Sequence, residues 1–339
     1  MIALALALAL ALVVVLFSIP TRESFYAIPT GEERLFVNVY DENRNQLKIV
    51  LLSHPFTRDS SYKQYEQYRK DGFVVLGITS YNEFPRITSN KHDVLNNPSE
   101  KAWVNYDYME IADGWLHCFR DPDAYITSGK TPILLLSESD FCNTDTFKPN
   151  PTIKKKYDFI YICPKDAGDK CEGWVATNKN WELAQKCIAI MCRDYGLKGL
   201  LVGRKDCKVP DNCDTTGFLS QLKLLEAYHE SKFLFLPNVT DASPRILTEA
   251  MNCDLPILVN ANIVGGWKYV HKNSGAFFTK ETDLKPGLEY ILNRYQHLTP
   301  RQHFLEHYGK EKSGKKLKKF IQKHYSNTIN VSDYKYLTL

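Results

Sequence analysis

The sequence predicts an α/β protein built on two mostly parallel sheets, and three observations carry that expectation. Short apolar runs alternate with longer stretches of helical spacing, most regularly in the second half. The 339 residues suit two domains of about 150 residues each. The composition, 44% hydrophobic and 24% charged, is that of a globular chain and excludes a disordered or disulfide-framework one. Forty-three basic residues against 39 acidic leave a net charge of +4, which does not indicate nucleic-acid binding by bulk charge.

In chain order, the first element is an apolar run from Ile2 to Ile19, interrupted only by Ser18 and closed by Pro20. At about 1.5 Å per residue it spans roughly 27 Å, close to the hydrocarbon thickness of a bilayer. No basic residue precedes it and no small-x-small site follows. Residues 1–20 therefore read as an uncleaved single-pass transmembrane anchor rather than a signal peptide. Arg22 and Arg34 lie on the body side and favour a cytosolic body. An endoplasmic-reticulum or Golgi membrane is compatible, and the side of the membrane stays open.

Residues 34–150 read as a first Rossmann-like domain. Leu47–Ser53 is a buried strand, Tyr62–Lys70 a helix and Gly72–Ile78 the next strand, with Trp115–Phe119 and Pro132–Leu136 completing a small sheet. Thr79–Asp113 has few apolar runs and reads as long loops with short helices. Phe147–Lys156, with two prolines and a lysine run, is the linker. Residues 155–300 are a second, more regular domain: strands at Tyr157–Cys163, Leu197–Val202, Lys232–Pro237 and Leu255–Asn260, helices at Trp181–Tyr195, Phe218–Ser231 and Pro244–Cys253. Right-handed crossovers then gather the strand carboxyl ends at one edge, facing a cleft between the domains. Residues 301–325 form a basic helix whose lysines are a solvated face, and which packs back across the cleft.

Cysteine spacing gives no zinc pattern, and nine cysteines leave at least one free thiol. Cys163/Cys171 and Cys207/Cys213 are spaced for short loop bridges. Of the two sequons, Asn238 ends a buried strand and is not expected to carry a glycan.

The segment richest in chemistry runs from Leu236 to Val259. Ser243 is placed to cap a helix and Pro244 to occupy its first position. The helix start then offers free N–H donors and a positive dipole end to a phosphate or diphosphate. Asp241 before the cap and Glu249 within the helix are carboxylates suited to sugar hydroxyls on either side of it.

This segment resembles the donor-binding signature of GT-B glycosyltransferases, closest to glycosyltransferase family 4, whose hallmark is two acids with seven residues between them ahead of an E-A-M-x-x-x-x-P-like tail. Asp241 and Glu249-Ala250-Met251, with Leu255-Pro256, match it; Asp for the first Glu, Ala242 and Asp254 depart from it. The resemblance implies that Asp241 contacts the donor sugar and Glu249 the nucleotide's ribose. It assigns Gly217-Phe218 to a base-contacting turn and likens Gly265-Gly266 to the glycine pair that follows the signature. The family's diphosphate Arg is absent; Lys165 is its nearest stand-in, Lys179 matches the family's Lys, and Arg204 and Arg245 are spare cations. His54 and His117 read as packed or surface histidines, and Asp121-Pro122-Asp123 as a turn rather than a metal site.

The implied activity is transfer of a sugar from a nucleotide-diphosphate donor to a glycan, glycolipid or glycoprotein acceptor. Retention of configuration follows from the resemblance alone. No metal and no cofactor beyond the nucleotide sugar are expected, because the helix dipole and lysines can serve the departing diphosphate. A catalytically inactive, membrane-tethered module that binds a nucleotide sugar or glycan is the alternative.

Overall fold

Strands form where apolar runs can be buried on both faces, and the described residues contain two sheets of this kind. The computed structural model describes residues 35–56, 59–80, 84–85, 106–127 and 129–339. The run at 2–19 lies outside them, as does most of the stretch from 79 to 113. Among the described residues no helix is long and apolar enough to cross a membrane.

The first sheet begins with a hairpin, β1 (Phe36–Asp41) and β2 (Gln46–Leu52). The Asp41 carboxylate closes its turn by accepting from the Asn43 and Asn45 amides at 2.8 and 2.9 Å. Helix α1 (Asp59–Lys70) leads to β3 (Val74–Ile78), a short α2 (Tyr108–Ile111) to β4 (Gly114–His117), and β5 (Ile133–Leu135) follows. β2 to β5 are parallel and adjacent in sequence order. Gly77 is required in β3 because the fully buried Trp115 ring occupies the place of a Cβ there.

The second sheet comprises β6 (Tyr157–Ile162), β7 (Gly199–Val202), β8 (Cys213–Thr216), β9 (Ser231–Leu236), β10 (Ile257–Asn260) and β11 (Gly275–Phe278). All are parallel in the order β11-β10-β9-β6-β7-β8. That is the doubly wound arrangement, with its switch point between β6 and β9. Helices α3 (Trp174–Asn178) and α4 (Trp181–Tyr195) lie between β6 and β7, α5 (Gln221–Glu230) before β9, α6 (Arg245–Asn252) before β10, and α7 (Leu284–Arg294) after β11. Strands β1, β8 and β11, and a fourth at Leu337–Thr338, are additions to those expected. β8, Cys-Asp-Thr-Thr, carries no apolar run because it is an edge strand with little surface to bury.

The carboxyl-terminal segment divides into α8 (Pro300–His307) and α9 (Lys310–Tyr325), broken at Gly309 with φ 92°. α9 returns to the first sheet. Leu317, Phe320 and Ile321 pack on its face with Ile49, Leu51, Leu76 and Leu116, each burial stabilising by roughly 1.5–3 kcal/mol. β12 (Leu337–Thr338) then pairs antiparallel with β1. The described residues from 35 to 339 thus form one unit, in which β12 extends the first sheet beside β1.

Candidate functional site

The switch point places the loops after β6, β9 and β10 together, and the loop 237–244 after β9 is their centre. Here Asp241 Oδ2 accepts from Lys179 Nζ at 2.7 Å and from Asn238 Nδ2 at 3.0 Å. Lys179 arrives as the C-cap residue of α3, with its N–H on the Val175 carbonyl and its own carbonyl accepting from Tyr161 Oη at 3.2 Å. Its neighbours tie the two segments: Asn180 Nδ2 donates to the Pro237 carbonyl at 3.0 Å, and Thr240 Oγ1 to the Asn178 carbonyl at 3.3 Å. The structure therefore brings Asp241 and Lys179 together and adds Asn238, which the sequence reading treated only as a sequon. Asn238 is fully buried, so the folded chain leaves its side chain no room for a glycan.

The glycine pair supports this loop from behind. Val264 N–H donates to Val239 and Gly265 N–H to Asp241, both to carbonyls. A Cβ on Gly265 would sit 1.7 Å from the Ala242 carbonyl oxygen, and Gly266 has φ 87°. Gly265→Ala is expected to displace the loop and destabilise the protein by about 2–4 kcal/mol, in the range of overpacked cores and strained backbone. A thermal melt checks it; an unshifted Tm with intact near-UV circular dichroism would show that the loop yields freely.

At α6 the expected cap is corrected. Pro244 itself occupies the N-cap, with no side-chain cap bond. The Ser243 hydroxyl is instead engaged by the first half, 2.8 Å from Ser139 Oγ and accepting from the Ser139 amide at 3.2 Å. Arg245, expected as a spare cation, pairs with Glu138 at 2.8 Å. Glu249 is 4% exposed and accepts from Tyr228 Oη at 2.9 Å. Tyr228 is a partner that helical spacing alone could place only on an apolar face.

Two other expectations change. Arg204 is fully buried, stacked on Trp181 at 4.7 Å and donating to the Cys171 and Pro164 carbonyls at 2.6 and 3.0 Å. It is a structural cation of the loops beneath the site, not a spare one facing it. Lys165 pairs with Asp169 and Asp206 at 3.2 and 3.9 Å. The loop bridge is also a different one, Cys171–Cys207, with Cys163 and Cys213 free. Gly217 and Phe218 form the turn between β8 and α5. Phe218 is 59% exposed, and Ser220 caps α5 by accepting from the Lys223 amide.

The first half meets this site through residues that periodicity did not single out. Trp267 Nε1 donates to the Cys118 carbonyl at 2.8 Å. Asp140 accepts from Lys268 Nζ at 2.6 Å and from Tyr269 Oη at 2.5 Å, all three side chains being buried. His117 ends β4, its Nδ1 without a hydrogen-bond partner. Burial, with the nearby Lys268 charge, lowers its pKa to about 4. The folded state therefore binds the neutral ring, while the unfolded chain takes a proton near pH 6.5. Stability falls as pH drops from about 6.5 towards 4, by roughly 3 kcal/mol in total. His117→Gln is expected to flatten that part of the profile; an unchanged slope in urea melts at pH 7, 6 and 5 would refute the assignment. Asp121 and Asp123 flank or fall in a single 3-10 turn, Pro122–Ala124, and among the described residues no three His, Cys, Asp or Glu side chains are grouped to hold a metal.

No protein-family profile matches the chain, and no curated protein matches its sequence. Solved structures do. Sucrose-phosphate synthase from Thermosynechococcus elongatus aligns over 79% of this chain and 72% of its own, at 13% identity and TM-score 0.56. The lipopolysaccharide outer core galactosyltransferase WaaB aligns over 80% and 75%, at 14% identity and TM-score 0.54. TarM aligns over 82% of this chain, which spans only 55% of TarM, at 13% identity and TM-score 0.55. The fold is GT-B. In this GT-B fold the doubly wound sheet lies after residue 155, and the sheet before it has β12 as an edge strand.

Proposed function

We propose that the chain is a glycosyltransferase that moves a sugar from a nucleotide-diphosphate donor to a glycan, glycolipid or glycoprotein acceptor. The observation that carries this reading is the Asp241 carboxylate, held by Lys179 and Asn238 beside the loop that opens α6. In it, Asp241 accepts hydrogen bonds from the donor sugar, and Glu249, oriented by Tyr228, accepts from the ribose. Lys179 and the positive end of α6 stabilise charge on the departing diphosphate. Ser243, Pro244 and Arg245 line the diphosphate side, and the Gly217-Phe218 turn meets the base. Transfer proceeds with retention and without a metal, and residues 1–20 tether the enzyme to a membrane.

The commitment of Arg204 and Lys165 to loop contacts supports a second reading, a module that binds a nucleotide sugar without turning it over. One experiment separates the two. The full-length chain is incubated with a panel of nucleotide sugars and EDTA, and nucleoside diphosphate release is followed for wild type and Glu249→Gln. Release that survives chelation and fails in the variant supports the transferase. Absence of release from every donor, with one donor still raising Tm, favours the module.

The Glu138–Arg245 pair spans the two halves where the diphosphate is placed. Glu138→Gln is expected to tighten nucleoside diphosphate binding about threefold, since an exposed pair is worth up to about 1 kcal/mol. Titration calorimetry reads this directly, and equal or weaker binding by the variant would contradict it.

A further inference from the structure

β8 is an edge strand held in an unusual way. Parallel strands are normally joined through a covering helix, yet the crossover from β7 to β8, residues 203–212, contains none. Its exit from β7 is pinned covalently, by Cys207 to Cys171 in the loop after β6. Its entry into β8 is Cys213, the strand's first residue, whose amide donates to the Pro210 carbonyl. The Cys213 Sγ lies 3.5 Å from the Sγ of Cys192 on α4, the helix that packs against this part of the sheet. Gly199 makes room for the pair, because a Cβ there would come within 2.9 Å of the Cys213 sulfur.

We infer that Cys192 and Cys213 are a second covalent staple, a dithiol that closes to a disulfide in the presence of an oxidising small-molecule disulfide such as oxidised glutathione. The sulfurs are already in van der Waals contact, and bonding closes the gap from 3.5 Å to about 2.04 Å. The hydrogen bond between them lowers the Cys192 thiol below its ordinary pKa and raises that of Cys213, so the pair favours a single thiolate. Closure is thiol–disulfide exchange. The Cys192 thiolate attacks one glutathione sulfur, forming a mixed disulfide and expelling a glutathione thiolate. Cys213, released from its hydrogen bond to that thiolate, then loses its proton and attacks the Cys192 sulfur, the mixed disulfide breaks and the second glutathione thiolate leaves. Two protein thiols are oxidised, one glutathione disulfide is reduced, and the released thiolates take up the two protons. With both ends of the crossover fixed, covalent bonds stand in for the missing helix. The inference is independent of the proposed transferase activity.

The test is disulfide mapping of the full-length chain. Samples equilibrated in glutathione buffers of rising oxidised fraction are quenched with iodoacetamide in denaturant, digested with trypsin and weighed. The seven free cysteines are expected to fall to five, with residues 187–193 joined to residues 209–223. Cys187 shares the first peptide, so the cross-link must persist in Cys187→Ser and vanish in Cys192→Ser. Oxidised wild type is also expected to melt several degrees above oxidised Cys213→Ser. If Cys171–Cys207 closes while Cys192 and Cys213 stay alkylated at every ratio, the inference fails. It fails equally if Cys213 is found joined to another cysteine, or if no disulfide forms at all.

Discussion

Lys179→Met is expected to lower nucleotide-sugar turnover by two to three orders of magnitude while leaving Tm within a few degrees. Both halves of that expectation come from the contacts of one side chain. The Lys179 ammonium has Asp241 as its ion-pair partner, at 2.7 Å. The loop bearing Asp241 has other supports, Asn180 on the Pro237 carbonyl and the Val264 and Gly265 amides on its far side. Loss of the ammonium therefore leaves the loop in place. What it removes is a fixed positive charge where the proposed leaving group gains negative charge, and removal of one such preorganised group costs about 10²–10³ in rate. Asp241→Asn keeps the shape and can still accept from Lys179, but loses the carboxylate that the proposed sugar contact uses. The two losses are expected to combine to less than their product, because the residues act as a unit. The readout is kcat and KM measured separately for each single variant and the pair. A Lys179→Met enzyme within fivefold of wild type in kcat/KM would remove this lysine from the mechanism.

Where the sequence was informative, one physical cause had one local signature. Tyr157–Ile162, Trp181–Tyr195 and Ser231–Leu236 were legible because each element buries its own apolar run. The region around Asp241 was legible because a strand, a Ser-Pro pair and a helix follow one another within a few residues. Contacts between distant segments were not. Nothing near Ser139 in the sequence announces Ser243, 104 residues later, and nothing in Arg204 distinguishes a buried stacking cation from one facing a ligand. Short edge strands were missed for a related reason: β8 and β12 are held by backbone pairing to one neighbour rather than marked by an apolar pattern. The cysteine pairing was misread because loop spacing favours near neighbours, whereas the fold brings residues 36 positions apart to adjacent loop ends.

Asp140→Ala is the substitution expected to destabilise the protein most, and it tests how the two halves are held in register. The Asp140 carboxylate accepts from Lys268 Nζ, Tyr269 Oη and the Ser137 amide, and its carbonyl from Ser313 Oγ and the Gly309 amide. One residue of the first half thus holds the turn after β10 and the start of α9. Lys268 is only 6% exposed, so truncating Asp140 strands a buried ammonium. Breaking such a pair from one side costs about 3–5 kcal/mol, whereas replacing both partners by apolar groups is often neutral. Asp140→Ala is accordingly expected to lower Tm by roughly 6–20 °C, at about 2–4 °C per kcal/mol as is typical of domains of about 150–250 residues. Adding Lys268→Met is expected to restore at least half of the loss. The same turn presents Glu138 and Ser139 to Arg245 and Ser243, so the single variant, assayed well below its Tm, should also bind nucleoside diphosphate differently from wild type. If Asp140→Ala melts within 2 °C of wild type, or the double variant is no better than the single, the buried pair is not what keeps the halves together. The register would then rest on the apolar contacts that Ala242 and Val264 make with the first half.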